Sequence, residues 1–194
     1  IPLRLVGSEM CIRDSSKTPK PYHLYKGKPL LMHSIDRIKS YKKFKKIVIV
    51  VHKNHTKFIK KLKIPNIKII KGGRTRAESA FKGLNSLKNS NTKYVMIHDA
   101  ARPNFSLKLL NKLKKEIQFN NCVVPAIQTA DSVKQKIKGK VKNLKRENIF
   151  FMQTPQAFNY KELCRLQKNK SLKVTDDANS VSYTHLTLPT KRIV

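Results

Sequence analysis

The chain has no tryptophan, three cysteines, and only 11 Asp and Glu against 43 Lys and Arg in 194 residues. It also lacks any apolar run approaching the ~18 residues that a membrane-spanning helix requires. Each shortage excludes something. Cys11, Cys122 and Cys164 are odd in number and fall at no metal-ligand spacing, so neither a closed disulfide framework nor a cysteine-built metal site is expected. Unpaired thiols in a reducing cytoplasm are the expectation. Residues Ile1 to Met10 show no basic stretch followed by an apolar one, which is not the pattern of a secretory signal. The scarcity of acids leaves a formal charge of +32. Such a charge invites a nucleic-acid reading, because phosphate backbones bind basic surfaces without regard to sequence. The lysines are spread along the chain, however, and aromatics total only 7%, with no stacking pattern or recognition helix. The expected reading is a solvated lysine-rich surface whose field favours an anionic substrate, with no specific nucleic-acid partner and no membrane partner.

The two ends carry a relation of their own. Glu9-Met-Cys-Ile-Arg-Asp-Ser15 can be written as the DNA GAG ATG TGT ATA AGA GAC AG. The reverse complement of that DNA, in one frame, reads Val-Ser-Tyr-Thr-His-Leu, the residues from Val181 to Leu186. One natural gene has no reason to show this at both ends, and the pair resembles a sequencing-library adapter translated with its insert. Residues 1–15 and 182–194 are therefore set apart as adapter-like, leaving a domain over 16–181.

Within that domain, apolar residues after Pro29 (Leu30, Leu31, Met32, Ile35, Ile38) have helical spacing. Ile47 to Val51 is a β-branched run read as a strand covered on both faces, which implies a parallel sheet. Phe58, Ile59 and Leu62 suggest a short helix. Further strands are expected over Ile67–Ile70, Tyr94–Ile97 and Cys122–Val124, and helices over Ala77–Leu87, Leu107–Phe119 and Tyr160–Gln167. Gln153 to Phe158 is expected to be a loop. The alternation implies an α/β fold with right-handed crossovers. From Ser132 to Arg146, apolar residues alternate with Lys and Gln around Gly139, the pattern of a projecting hairpin.

In an open parallel sheet, ligands bind beyond the carboxyl ends of the strands. The unusual residues fall there. Gly72-Gly73 permits close backbone approach, and the helix behind it offers free N–H groups. Arg76 adds a guanidinium fork suited to phosphate. Asp99, at a strand end, suits a cation or a ribose hydroxyl, but equally a cap paired with Arg102. His98 reads as a structural neighbour of that turn. No nucleophile–base pair, Walker motif or metal-ligand cluster is visible. The set suits nucleotidyl transfer, in which phosphates are positioned and their charge is neutralised.

Gly72-Gly-Arg-Thr-Arg-Ala-Glu-Ser79, His98-Asp-Ala-Ala-Arg-Pro103, Gln153-Thr-Pro-Gln-Ala-Phe158 and Thr175-Asp-Asp-Ala178 occur in this order. Together they resemble the 2-C-methyl-D-erythritol 4-phosphate cytidylyltransferases of the non-mevalonate isoprenoid pathway. The resemblance covers nearly all of Lys17 to Ser180. It implies a Rossmann-like nucleotide-diphosphosugar transferase fold with a β-hairpin arm over about 132–150. It implies CTP and a polyol phosphate as substrates, a divalent cation (Mg²⁺), and a homodimer formed through the arm. Lys20, Asp99 and Arg102 match catalytic positions, with Asp99 a candidate Mg²⁺ ligand. Gly72, Gly73, Arg76 and Ser79 match CTP-binding positions. Thr154, Thr175, Ser132 and Arg146 match the polyol-phosphate site, the last two from the arm.

The chain departs from the family pattern in places. The family's opening strand and glycine-rich triphosphate loop are replaced by the adapter-like residues, and its last strand and helix, with a second lysine, are absent. Pro21 stands for a usual Gln and Ser132 for a usual Thr. Poor CTP binding and little turnover are the resulting expectations for this chain. A ribitol 5-phosphate cytidylyltransferase is the alternative reading, and a non-catalytic basic nucleic-acid module the third.

Overall fold

A computed structural model describes residues 3–7, 18–62, 64–65 and 67–168, the first five as backbone only. In chain order the elements are β1 (Leu3–Gly7), β2 (Leu24–Tyr25), β3 (Lys28–Pro29), α1 (Leu30–Ser40), β4 (Ile47–Val51), α2 (Thr56–Lys61), β5 (Lys68–Lys71) and α3 (Arg76–Asn85). There follow β6 (Tyr94–His98), α4 (Leu107–Glu116), β7 (Cys122–Val123), β8 (Ala126–Gln128), β9 (Val133–Ile137), β10 (Lys140–Leu144), β11 (Phe150–Met152), β12 (Gln156–Asn159) and α5 (Tyr160–Lys168).

Six strands form one sheet in the order β5-β4-β1-β6-β12-β7. The β5, β4, β1 and β6 neighbours pair in parallel, whereas β12 runs antiparallel to both β6 and β7. The strand period of two assigns alternate side chains to opposite faces. Ile49, Val51 and Met96 pack with Leu31, Ile35, Ile38, Leu110 and Leu113 from α1 and α4. Val48, Val50, Val95 and Ile97 pack with Leu84, Leu87 and Leu163 on the other side. Each such fully buried aliphatic chain contributes roughly 1.5–3 kcal/mol. This is why Ile47–Val51 carries no polar residue: it has helices on both faces. The edge strand β5 is mostly exposed and bears Lys68 and Lys71, charges that discourage further pairing.

One expectation needs correction. Gln153–Phe158 is not all loop: Gln156–Asn159 is the antiparallel strand β12, three of its four residues buried. Its composition is too polar to announce a strand, and its slot between β6 and β7 decides its conformation. The sheet also takes in Leu3–Gly7, from the stretch set apart as adapter-like, in register from Leu3↔Ile47 to Gly7↔Val51. A gap between β4 and β6 would orphan the ladder groups of both strands, and any short extended apolar run can fill it.

Among the described residues no helix is long and apolar enough to cross a membrane. The hairpin forms as expected, from Leu144↔Val133 to Lys140↔Ile137. Lys138 and Gly139 at its tip both have positive φ, 46° and 81°. That matches the mirror-image turn that strand twist favours in two-residue loops.

Candidate functional site

The carboxyl ends of β5 and β6 carry most of the predicted residues. After β5, the Gly72 N–H donates to the Val51 carbonyl (2.7 Å). The Gly73 N–H donates to the Ser79 hydroxyl (3.0 Å) and the Arg74 N–H to Glu78 Oε2 (2.8 Å). Thr75 caps α3 by accepting from the Glu78 N–H at 3.1 Å. The turn therefore folds tightly onto its own helix. A Cβ on Gly72 would lie 2.7 Å from Ser79 Oγ, and one on Gly73 2.3 Å from Glu78 Cβ. The two glycines are required first by this helix contact, so the close approach read from the sequence is to α3 itself. Ser79 is buried, with its hydroxyl turned into the turn rather than outward.

Arg76, the first residue of α3, reaches across the rim to Asp99 (Nη2 to Oδ1, 3.9 Å). Arg102 approaches the other oxygen (Nε to Oδ2, 3.2 Å). The turn beneath is closed by the Arg102 N–H donating to the Asp99 carbonyl at 3.1 Å. The Asp99 N–H donates to the Thr154 hydroxyl at 3.4 Å. Three sequence segments, around Arg76, Asp99 and Thr154, thus meet at Asp99, the first and second at its carboxylate and the third at its backbone N–H. Asp99 and Arg76 are about a quarter exposed and Arg102 about half, so their charges face solvent and any ligand.

Asp99 is therefore an arginine-paired carboxylate. Among the described residues no group of three ligating side chains is present. Two guanidinium groups at the Asp99 carboxylate do not fit a Mg²⁺ ligand there, and no step is routed through a protein-held metal.

His98 ends β6 fully buried, its ring edge-on to Phe105 with centroids 4.6 Å apart. Neither ring nitrogen has a hydrogen-bond partner. Burial holds its imidazole down at about 3; the nearby Arg102 backbone opposes that shift and the Arg102 charge adds to it. It is a neutral floor under Asp99, in line with its reading as a structural neighbour.

Lys20 is exposed on a single 3-10 turn, Lys20–Tyr22, that packs against α1. Ser34 of α1 donates to the Ala100 carbonyl (2.8 Å), fastening that helix to the Asp99 turn. Ser34 was not singled out in the sequence; the signal was a serine in the apolar stripe of α1, buried here without exposure. Ser132 and Arg146 flank the base of the hairpin, both exposed. Arg146 pairs with Glu147 at 3.6 Å. Thr175 lies outside the described residues.

The family model described as IspD, 2-C-methyl-D-erythritol 4-phosphate cytidylyltransferase, matches residues 6–188. A Pelagibacter ubique (strain HTCC1062) protein named bifunctional enzyme IspD/IspF is 69% identical over 167 residues, 86% of this chain and 45% of that protein. A 2-C-methyl-D-erythritol 4-phosphate cytidylyltransferase of Mannheimia succiniciproducens is 34% identical, with 94% of this chain and 81% of that protein covered. The solved structure of the bifunctional IspDF from Campylobacter jejuni superposes with a TM-score of 0.79 at 29% identity, over 93% of this chain and 46% of that one. The chain spans less than half the length of the two bifunctional relatives.

Proposed function

From the premise that the chain belongs to the 2-C-methyl-D-erythritol 4-phosphate cytidylyltransferase family, we propose that the uninterrupted product of its gene joins 2-C-methyl-D-erythritol 4-phosphate to CTP, and that this chain, with its ends replaced, turns over little. A phosphate oxygen of the polyol phosphate attacks the α-phosphorus of CTP. The bond to the β-phosphate breaks, and pyrophosphate leaves with that electron pair. The product is 4-diphosphocytidyl-2-C-methyl-D-erythritol. The phosphate is itself the nucleophile, so the protein needs to align the two anions and neutralise charge.

The observation that carries this reading is the Arg76–Asp99–Arg102 cluster on the carboxyl rim, with Thr154 against the Asp99 backbone. Asp99 accepts from polyol hydroxyls and holds both guanidinium groups in place. Arg76, with the α3 amino end, faces the nucleotide. Lys20 neutralises the α-phosphate as its charge builds. CTP brings its divalent cation, magnesium in the cell, on its own phosphate oxygens. Thr175 completes the polyol pocket, while Ser132 and Arg146 reach a second copy's substrate phosphate through the arm. The protein acts in the cytoplasm as a homodimer. Residues 1–15 and 182–194 are adapter-derived, and genomic DNA spanning this locus will read differently there.

The deciding measurement is pyrophosphate release from CTP with 2-C-methyl-D-erythritol 4-phosphate, with ribitol 5-phosphate run in parallel. Preference for ribitol 5-phosphate overturns the substrate assignment. Failure of any polyol phosphate to release pyrophosphate from CTP, with the gene's uninterrupted product, overturns the reaction.

A further inference from the structure

Ser34 holds a core position without being apolar. The buried residues of α1 are Leu31, Ser34, Ile35 and Ile38, one stripe at helical spacing. Burying a hydroxyl there costs free energy unless it is hydrogen-bonded. A helical serine commonly donates back to the carbonyl four residues earlier, which here belongs to Leu30. Ser34 instead donates out of its helix, to the Ala100 carbonyl at 2.8 Å, across 66 positions of sequence. Ala100 is itself buried. It lies inside the turn that the Arg102 N–H closes on the Asp99 carbonyl.

The amino end of α1 is tied to Lys20. The His23 N–H donates to the Lys20 carbonyl at 3.1 Å, and the His23 carbonyl accepts from the N–H of Leu30, the first residue of α1, at 3.0 Å. Between them the β2–β3 pair, Leu24↔Pro29 and Tyr25↔Lys28, closes the intervening hairpin. Leu30 lies four residues before Ser34, on the same side of the helix. Tyr22, from the Lys20 turn, shares an apolar cluster with Leu31, Ile35 and Ala100. A continuous path thus runs from Lys20 through one turn of α1 to the segment that carries Asp99 and Arg102. In this path the Ser34 hydroxyl is the link made by a side chain, and so the link that a substitution removes.

We infer that Ser34 is a positioning residue for the nucleotidyl transfer. By holding the Ala100 carbonyl it fixes the spacing between the Lys20 turn and the Asp99–Arg102 turn, and with it the alignment of the polyol phosphate on the α-phosphorus of CTP. This rests on the reaction proposed above, and Ser34 touches neither substrate in it. Reacting atoms must be brought to about 3–3.5 Å, and a displacement of about 1 Å costs on the order of 100-fold in rate. Each turn keeps its own ligand-facing groups when the link is lost, so the effect falls on turnover more than on binding.

The test compares the gene's uninterrupted product with its S34A and I38V variants. Ile38 lies one turn beyond Ser34 in the same stripe, and its truncation loosens the packing of α1 while leaving the Ser34 bond in place. Urea unfolding measures the stability of each. Pyrophosphate release, at a temperature where all three are folded, gives kcat and KM for both substrates. The expected result is a kcat for S34A lower by roughly tenfold or more, KM values within about threefold of the parent, and an unchanged kcat for I38V. If S34A turns over at the parent's rate, if its loss is confined to KM, or if I38V slows as much, the inference fails while the reaction stands. If the parent releases no pyrophosphate with any polyol phosphate, both fail. Should S34A not fold, S34C, which keeps the volume but donates weakly, carries the same expectation.

Discussion

At the scale of single residues, the site depends on a carboxylate shared by two guanidinium groups. Asp99→Asn removes the charge but keeps the shape. Because Arg102 is half exposed and the Arg76 contact is long, folding stability is expected to change by less than about 1 kcal/mol. Polyol-phosphate affinity should fall by roughly tenfold or more as both guanidinium groups lose their anchor; thermal melting and calorimetry read the two separately. His98 yields a pH prediction. Its folded pKa, about 3, lies below its unfolded value of about 6.5. Its stabilisation is therefore complete above pH 6.5 and is lost as pH falls towards 3, on the order of a few kcal/mol. In urea unfolding across that range, His98→Phe should show a shallower acid loss than the parent. The chemistry of Asp99 and Arg102 was legible because they lie three apart in one turn. The reach of Arg76 to Asp99 was not, because it joins the ends of two strands, β5 and β6, that β4 and β1 separate in the sheet. The depth of His98 and the grip of Ser34 on Ala100 were hidden for the same reason.

At the scale of elements, the β5–α3 turn is the most exacting. Gly73→Ala places a Cβ 2.3 Å from Glu78 Cβ, which the start of α3 can relieve only by moving. A loss of about 1–3 kcal/mol is expected in chemical denaturation, with weaker CTP binding because Arg76 moves with the helix. The helix caps are milder. Thr75→Ala and Ser106→Ala each remove one side-chain acceptor from a helix start and should cost about 1 kcal/mol apiece. Elements with strong periodicity matched expectation: the Ile47–Val51 strand, the Leu30–Ser40 helix and the hairpin around Gly139. Gln156–Asn159 escaped, since a polar segment can become a central strand when its neighbours supply the ladder.

At the scale of the whole molecule, charge dominates. The arm exposes Lys134, Lys136, Lys138, Lys140 and Lys142, and pairing two such arms in the proposed homodimer brings like charges together. Dimerisation is therefore expected to tighten with added salt, the reverse of a charge-complementary interface; sedimentation at several ionic strengths measures it. Shortening β9 and β10 should abolish the dimer and leave the sheet intact, because the hairpin contributes nothing to either apolar cluster. The amino-acid order by itself determined the two-sided strands, the helical stripes, the hairpin and the ordered motifs, because each is written within a few neighbouring residues. Only the tertiary structure decided that Arg76, Asp99, Arg102 and Thr154 share one rim, that the paired glycines answer to their own helix, and that Ser34 ties α1 to the Asp99 turn. Those relations arise from strand order, and strand order is fixed by burying both faces of the sheet at once, a condition no local stretch of sequence contains.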